Sequence, residues 1–539
     1  MNSASQMVTA ALLTLLMTMP STVSTALADD EWQSLFDGKT LTNWDGDPAL
    51  WSVQDGAITG KTTPETNLKS NSFLIYRGGE FDNFELQLEY KIVNGNSGIQ
   101  YRSFEAPNRP WSIGGYQADF EAGDTYSGIL YGEQFRGILA LRGEMTELTA
   151  DESGKMVKTV VEKIGDTKEI QSKIRKEDWN RYRVVASGYR FQHFINDTKT
   201  IECVDNDIAN RRSTGLLALQ IHVGPPMTVQ FRNIRIKKLP APKRVALIAG
   251  TPSHGFGSHE HKAGCMLLAD ALNASELGIE ATVFTGGWPK DDTALDYVDS
   301  IVIYCDGGGR HPFNDHLKRL DQLQKRGIGM VCLHYGVEVP KGPSGEAFLR
   351  WTGGYFETDW SVNPHWTGTF DDFPDHPIAR GVKAFTVNDE WYYHMRFAEG
   401  MQGVTPILSE LPPSETLVKA DGSLARPDGA HSNNEAVRKA VLERKEPQHV
   451  AWACSRKDAG RGFGFTGGHY HWNWGNDNFR KLILNAIAWT AHAEVPEGGV
   501  PSKSLTVEDL LANQDEQVPD NFNPARIQAM LDDWNASGN

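Results

Sequence analysis

The chain reads as a multidomain protein: an all-β sandwich or jelly roll followed by an α/β domain with a parallel sheet. Three observations predict this. Residues 31–239 hold short runs of alternating apolar and polar residues, separated by Gly, Asn and Asp, which is the pattern of paired antiparallel strands. Residues 237–243 (KKLPAPK) set two prolines among lysines, a short stiff linker. Beyond it, continuous apolar runs alternate with helical segments, as in a parallel sheet buried on both faces.

The elements follow in order. Residues 1–28 contain an apolar run at 8–19, then Ser and Thr, then the small-residue ending Ala26-Leu27-Ala28. This is the layout of a secretory signal with cleavage near Ala28, although its first residues lack Lys or Arg. The run is short for a membrane span. The expectation is export to a periplasm or the extracellular space, with no membrane-spanning segment. Strands are predicted at 84–92 (FELQLEYKI), 99–104 (IQYRSF), 182–186, 191–195, 216–222 and 229–236. After the linker come strands at 244–249 (RVALIA), 282–285, 299–305 (DSIVIYC) and 329–334 (GMVCLH), with helices near 262–272 and 316–326. The carboxyl ends of such strands carry sites, and these ends present His254, Asp306 and His334. From residue 494 the chain is acidic and rich in Pro and Gly, with a short helix at 524–534, and reads as a peripheral tail.

Composition narrows the function. Lys and Arg number 53 against 69 Asp and Glu, a net charge of −16. With no basic run, a nucleic-acid partner is excluded as an expectation, because phosphate binding needs a basic face. Cys203, Cys265, Cys305, Cys332 and Cys454 are scattered without Cys-x-x-Cys spacing, so no zinc ribbon or redox motif is expected and buried free thiols are the simplest reading. Nothing in the sequence bears on oligomeric state.

Residues two apart on a strand share a face. Gln117, Asp119 and Glu121 therefore share one, as do Gln100 with Arg102 and Gln220 with His222. One reading is a solvent-facing sheet surface. The other is a concave carbohydrate groove on which Arg102, Asp119, Glu121 and His222 converge. The runs SLFDGKTLTNW, NSGIQYRS, GGYQADFE, EDWNRYRVVASG, LALQIHVG and VQFRNIRIKKL resemble the 3-keto-disaccharide hydrolase family over 31–239. The resemblance implies a concanavalin-like β-sandwich (jelly roll) acting on glycosides oxidised at sugar carbon 3. A C3 ketone acidifies the C2 proton, so a base can form the enolate and expel the C1 oxygen, with or without readdition of water. That route needs a base, a group on the ketone oxygen and an acid on the leaving oxygen. The candidates are His222 or Asp119 as base, Arg102 or Gln117 on the ketone, and Glu121 as acid. Gln100, Gln117 and Gln220 are expected to bind substrate. The Phe120-Glu121 pair fits the family motif loosely, and the charged stretch 143–176 looks like a variable insertion.

Residues 243–492 resemble the trehalose-utilisation, ThuA-like family through KRVALIAGTPSHGFGSHEHKAGCMLLADAL, DSIVIYCDGG, GMVCLHYG, DEWYYHMRF and RGFGFTGGHYHWNW. The implied fold is the α/β sheet of class I glutamine amidotransferases, related to flavodoxin-like folds. His334 stands where their nucleophilic Cys would be, and Cys332 lies inside the apolar run, so glutaminase activity is not expected. His254, His259, His261, His334, His394, His469 and His471 crowd these loops together with Glu390. They suit hydrogen bonding in a sugar pocket, with His334, Glu390 and His469 on the substrate. They also suit a divalent metal, with His254, His334 and His469 as candidate ligands. No motif requires a cofactor. Three functional readings remain open: an exported enzyme cleaving 3-keto-glycosides in the sandwich, with the ThuA-like domain acting on or binding the keto-sugar; a carbohydrate-binding sandwich attached to a catalytic ThuA-like domain; or a non-catalytic adhesion or scaffold protein, which any turnover on a panel of sugars would exclude.

Overall fold

The computed structural model describes residues 32–536 except 67, 108, 152 and 208. The expected signal segment lies outside the described residues. The chain divides into two compact units, with the boundary in sequence between Leu239 and Pro240.

The first unit consists of a ten-stranded and a seven-stranded sheet. Alternation along Phe84–Val93 buries Phe84, Leu86, Leu88, Tyr90 and Ile92. Tyr116, Ala118 and Phe120 of Ile113–Glu121 enter the same apolar core from the seven-stranded sheet. Tyr90 and Phe120 meet with ring centroids 3.9 Å apart. The seven-stranded sheet runs in the order Gly137–Ala140, Leu130–Glu133, Ile113–Glu121, Asn96–Glu105, Leu216–Ile221, Ser72–Tyr76, Trp44–Asp45. Because Tyr116, Ala118 and Phe120 face the core, Gln117, Asp119 and Glu121 lie on the other face. The charged stretch expected as an insertion is itself part of the ten-stranded sheet. Glu144–Ala150 and Met156–Lys163 pair as a hairpin on Thr198–Asp205.

The second unit is built on a seven-stranded sheet. Ile279–Phe284, Lys243–Ala249, Ser300–Tyr304, Gly329–Leu333 and Arg461–Phe465 run parallel; Gln448–Ser455 joins antiparallel to Arg461–Phe465, and Val404–Glu410 joins antiparallel to Gln448–Ser455. Successive residues of Lys243–Ala249 feed different cores. Val245 and Leu247 pack with helices His261–Ala274 and Asp477–Thr490. Ala246 and Ile248 pack with Leu317–Gln324 and Pro343–Trp351. Burial on both faces explains the unbroken apolar run. The segment after 494 is less peripheral than its composition suggests: Leu505, Val507, Leu510, Ile527 and Leu531 lie in the first of these cores. Among the described residues, no helix is long and apolar enough to cross a membrane, and the five cysteines are buried and unpaired.

Candidate functional site

Each unit gathers polar side chains in one place. In the first, four neighbouring strands supply a chain of buried amides and carboxyls. Gln100 donates to Gln117 at 2.6 Å, and Gln117 donates to Asp119 at 2.8 Å and to Gln220 at 3.4 Å. Gln220 donates in turn to Glu133 at 3.4 Å. Asn96 holds the other oxygen of Asp119 at 2.8 Å, and Asn71 holds Glu133 at 3.2 Å. An unpaired buried amide costs about 1–3 kcal/mol, so this mutual satisfaction lets three glutamines sit below a sheet surface. Burial pushes the Asp119 carboxyl up to about 7 against the hydrogen bonds from Asn96 and Gln117. Glu133 is raised by burial as well.

Beside Asp119 opens a pocket of about 810 Å³, lined by Asn94, Asn96, Glu121, His222, Val223 and Pro225 among others. Asn96 links the pocket wall to Asp119. His222 Nδ1 lies 2.6 Å from the Val223 carbonyl, which makes Nδ1 the protonated nitrogen and leaves Nε2 as the free one. Glu121 lines the pocket, but its Oε1 accepts the N–H groups of Thr125 at 2.6 Å and Tyr126 at 2.9 Å, fixing that loop. Arg102 leaves the polar row. A register shift follows Tyr101, and Arg102 has φ +47°. Its guanidinium donates to the carbonyls of Asp82, Gly188 and Arg212 and lies over the Phe191 ring. Alternation paired Arg102 with Gln100, and the bulge undoes that pairing. Glu133 escaped sequence reasoning because it joins the row only through sheet order; Asn71 lies just before the strand Ser72–Tyr76, and Asn96, although in phase with Gln100, lies outside the 99–104 run from which that face was read.

In the second unit, loops at strand ends bring His259, His334, His469 and Glu390 together. One ligand atom from each lies within 4.8 Å of all the others. His334 follows Gly329–Leu333 directly with φ +51°, and His259 has φ +52°, strained values of the kind that collect at functional sites. His259 Nε2 lies 3.1 Å from His334 Nε2 and 3.0 Å from His469 Nδ1. Glu390 Oε2 lies 3.2 Å from His469 Nδ1 and 3.6 Å from His334 Nε2.

A second layer holds these four. Asp306 accepts from His259 Nδ1 at 2.8 Å, and the Thr466 carbonyl accepts from His334 Nδ1 at 2.9 Å. Asn363 and Tyr392 donate to Glu390 at 3.1 and 3.2 Å. Buried Asp389 accepts the backbone N–H groups of Gly468 and His469 at 2.7 and 3.0 Å. Burial pushes His259 and His334 down, keeping both imidazoles neutral. Burial acts to raise Asp306, yet hydrogen bonds from His259 and Ser253 bring it down to about 2.

The other histidines separate. His254 stacks on His259 at 3.6 Å and forms a second group with His259 and Asp306. His394 stacks on Trp360, and His471 is buried beside Trp472. Burial pushes the Cys305 and Cys332 thiols up, so neither offers a thiolate nucleophile. Trp391 and Trp474 are core residues.

Residues 31–237 match the model of the 3-keto-alpha-glucoside-1,2-lyase-like domain, and residues 244–490 match that of trehalose utilisation (ThuA). No curated protein matches. Among solved structures, a Parabacteroides distasonis ATCC 8503 protein provisionally named a glycosyl hydrolase is 21% identical over 39% of this chain and 100% of its own, with a TM-score of 0.26. The carbohydrate-binding module CBM66 from Bacillus subtilis is 16% identical over 36% of this chain and 96% of its own, with a TM-score of 0.24. A Bacteroides uniformis ATCC 8492 protein provisionally named ThuA-like is 16% identical over 47% of this chain and 94% of its own, with a TM-score of 0.33.

Proposed function

We propose, for a chain in which a 3-keto-alpha-glucoside-1,2-lyase-like domain precedes a trehalose-utilisation domain, that the first unit cleaves 3-keto-glycosides by elimination. The observation that carries this reading is Asp119: a carboxyl raised to about 7 by burial, held beside an open pocket by Asn96 and Gln117. A base near neutrality suits proton removal next to a ketone.

In this reading Asp119 takes the C2 proton and the C2–H electrons form the enolate of the C3 ketone. As the enolate collapses, the C1–O bond breaks and its electrons leave with the oxygen. That oxygen takes its proton from a water molecule, which His222 orients by accepting the water's other hydrogen at Nε2. Water adding across the new double bond makes the net result hydrolysis. Arg102 and Glu121 support the fold in this reading, because their polar groups serve backbone carbonyls and the 125–126 loop. The second unit acts on or binds the same class of keto-sugar on an amidotransferase-like sheet without glutaminase chemistry. The chain is exported, with Asp29 as the mature N-terminus.

The test incubates the purified chain with 3-keto-trehalose and with a 3-keto-glucoside in deuterium oxide, followed by mass spectrometry. The expected products are an unsaturated 3-keto-sugar or free 3-keto-glucose, with deuterium entering at C2 of the substrate or product. Equal cleavage of the unoxidised glycosides would overturn the elimination route. Sugar binding without turnover would favour a sandwich that only binds.

A further inference from the structure

The hydrogen bonds around His259 and His334 fix where their protons are. His259 Nδ1 faces the Asp306 carboxylate, and His334 Nδ1 faces the Thr466 carbonyl. Both partners accept only, so each neutral ring carries its proton on Nδ1. The two Nε2 lone pairs then confront one another across 3.1 Å. Glu390 brings an anionic oxygen to the same point, 3.6 Å from His334 Nε2. His469 Nδ1 closes the group at 3.0 Å from His259 Nε2 and 3.2 Å from Glu390 Oε2. The Tyr392 hydroxyl, 3.3 Å from His334 Nε2 and 3.2 Å from Glu390 Oε2, can satisfy one of these lone pairs, and a cation among them would relieve the repulsion of the rest.

The spacing has the size of a coordination shell. Metal–ligand bonds of about 2.0–2.1 Å put neighbouring ligands about 3.0 Å apart in an octahedron and about 3.4 Å apart in a tetrahedron. The four measured separations run from 3.0 to 3.6 Å. The surroundings match as well, since metal-bound imidazoles pass their other N–H to a carboxylate or a carbonyl, as Asp306 and Thr466 provide.

We infer that His259 Nε2, His334 Nε2, His469 Nδ1 and the Glu390 carboxylate form a centre for a divalent first-row transition ion, with Asp306 as the positioning residue of His259. Three imidazoles and one carboxylate favour zinc, cobalt, iron or nickel over magnesium or calcium, which take oxygen ligands. His254, although stacked on His259, lies outside the set. The centre gives the α/β unit a Lewis acid for a carbonyl or hydroxyl oxygen. It does not depend on the elimination reading for the sandwich, so either can fail alone.

The test strips the purified chain with a chelator, removes the chelator and titrates cobalt(II), reading visible d–d absorption and metal per chain by mass spectrometry. The expected result is about one ion per chain, displaced by zinc and not by magnesium. His334→Ala and Glu390→Gln should lose stoichiometric binding while circular dichroism stays unchanged. Asp306→Asn should bind one ion about 10–100-fold more weakly, which keeps the test decisive if the first two variants do not fold. His254→Ala should bind within about twofold of the unaltered chain. The inference is overturned if the unaltered chain takes up less than about 0.1 ion, if Asp306→Asn binds unchanged, or if His254→Ala alone abolishes binding.

Discussion

Gln117 donates its side-chain amide to Asp119, two residues along the same strand, at 2.8 Å. The contact orients a carboxyl that burial has brought up to about 7. A base must be ionised to accept a proton, so turnover of 3-keto-glycosides by the first unit should rise with pH through a limb near 7. Asp119→Asn should lower kcat by at least about 100-fold and remove that limb. A pH–rate series on both proteins checks this; a limb that survives the substitution assigns the base elsewhere.

The same carboxyl makes stability depend on pH. Burial raises Asp119 from its ordinary 3.8 to about 7, so the folded unit keeps a proton that the unfolded chain has already released. The contribution is complete below about pH 4. It shrinks as pH rises and is gone once pH passes through 7, with a span on the order of 4 kcal/mol as an upper bound. The melting temperature of the first unit should therefore fall from about pH 4 to 7 and level off above 7 in the unaltered chain, and change less over that range in Asp119→Asn. Parallel curves would show that Asp119 titrates alike in both states.

Gly98 pairs with Asp119 across the strands, and a Cβ there would lie 2.5 Å from Cγ and Cδ of Gln117. Gly98→Ala must displace the Gln117 amide and, with it, the Asp119 carboxyl. Displacements near 1 Å can cost about 100-fold in rate. The expected outcome is a fall in kcat of at least about tenfold with KM changed less, read by steady-state kinetics. Unchanged kcat would show that Gln117 does not set the base.

How far such contacts can be read from sequence depends on which step of folding creates them. Period-2 alternation places Gln117 and Asp119 on one face because it is a property of a single strand. It fails at Arg102, where a bulge with φ +47° turns the side chain away. It is silent on Glu133, whose strand becomes a neighbour of Ile113–Glu121 only in the sheet. The crowd of histidines in the second unit is visible as composition. That His259, His334 and His469 meet Glu390, while His394 turns to Trp360, is decided by the order of strands and the loops at their ends. The charged hairpin at 144–163 hides its strand character because its outer strand, Met156–Lys163, is largely exposed.

Arg102 offers a direct separation of two roles. Its guanidinium serves the carbonyls of Asp82, Gly188 and Arg212, so Arg102→Met leaves the buried Gly188 carbonyl without this donor. At about 1–3 kcal/mol for a buried group left unsatisfied, the first unit should lose at least about 1 kcal/mol in urea unfolding. Turnover per folded molecule should stay within about twofold. A large loss of kcat in fully folded protein would return Arg102 to the ketone.

The metal centre predicts where a chelator acts. An ion that binds only the folded state stabilises it by about 2.7 kcal/mol at a hundredfold excess over Kd. His259, His334, Glu390 and His469 come from four separate loops, so losing the ion frees all four together. Hydrogen exchange followed by mass spectrometry should show peptides carrying these residues losing protection on chelation and regaining it when zinc is added. Peptides covering Asn96–Glu105 and Ile113–Glu121 should exchange at the same rate throughout, because no ligand comes from the first unit. C2 deuterium incorporation into a 3-keto-glycoside should likewise survive chelation if Asp119 is its base. Protection unchanged at all four loops would mean that the histidines hold one another without an ion, and chelator-sensitive exchange at C2 would move the elimination chemistry to the α/β unit.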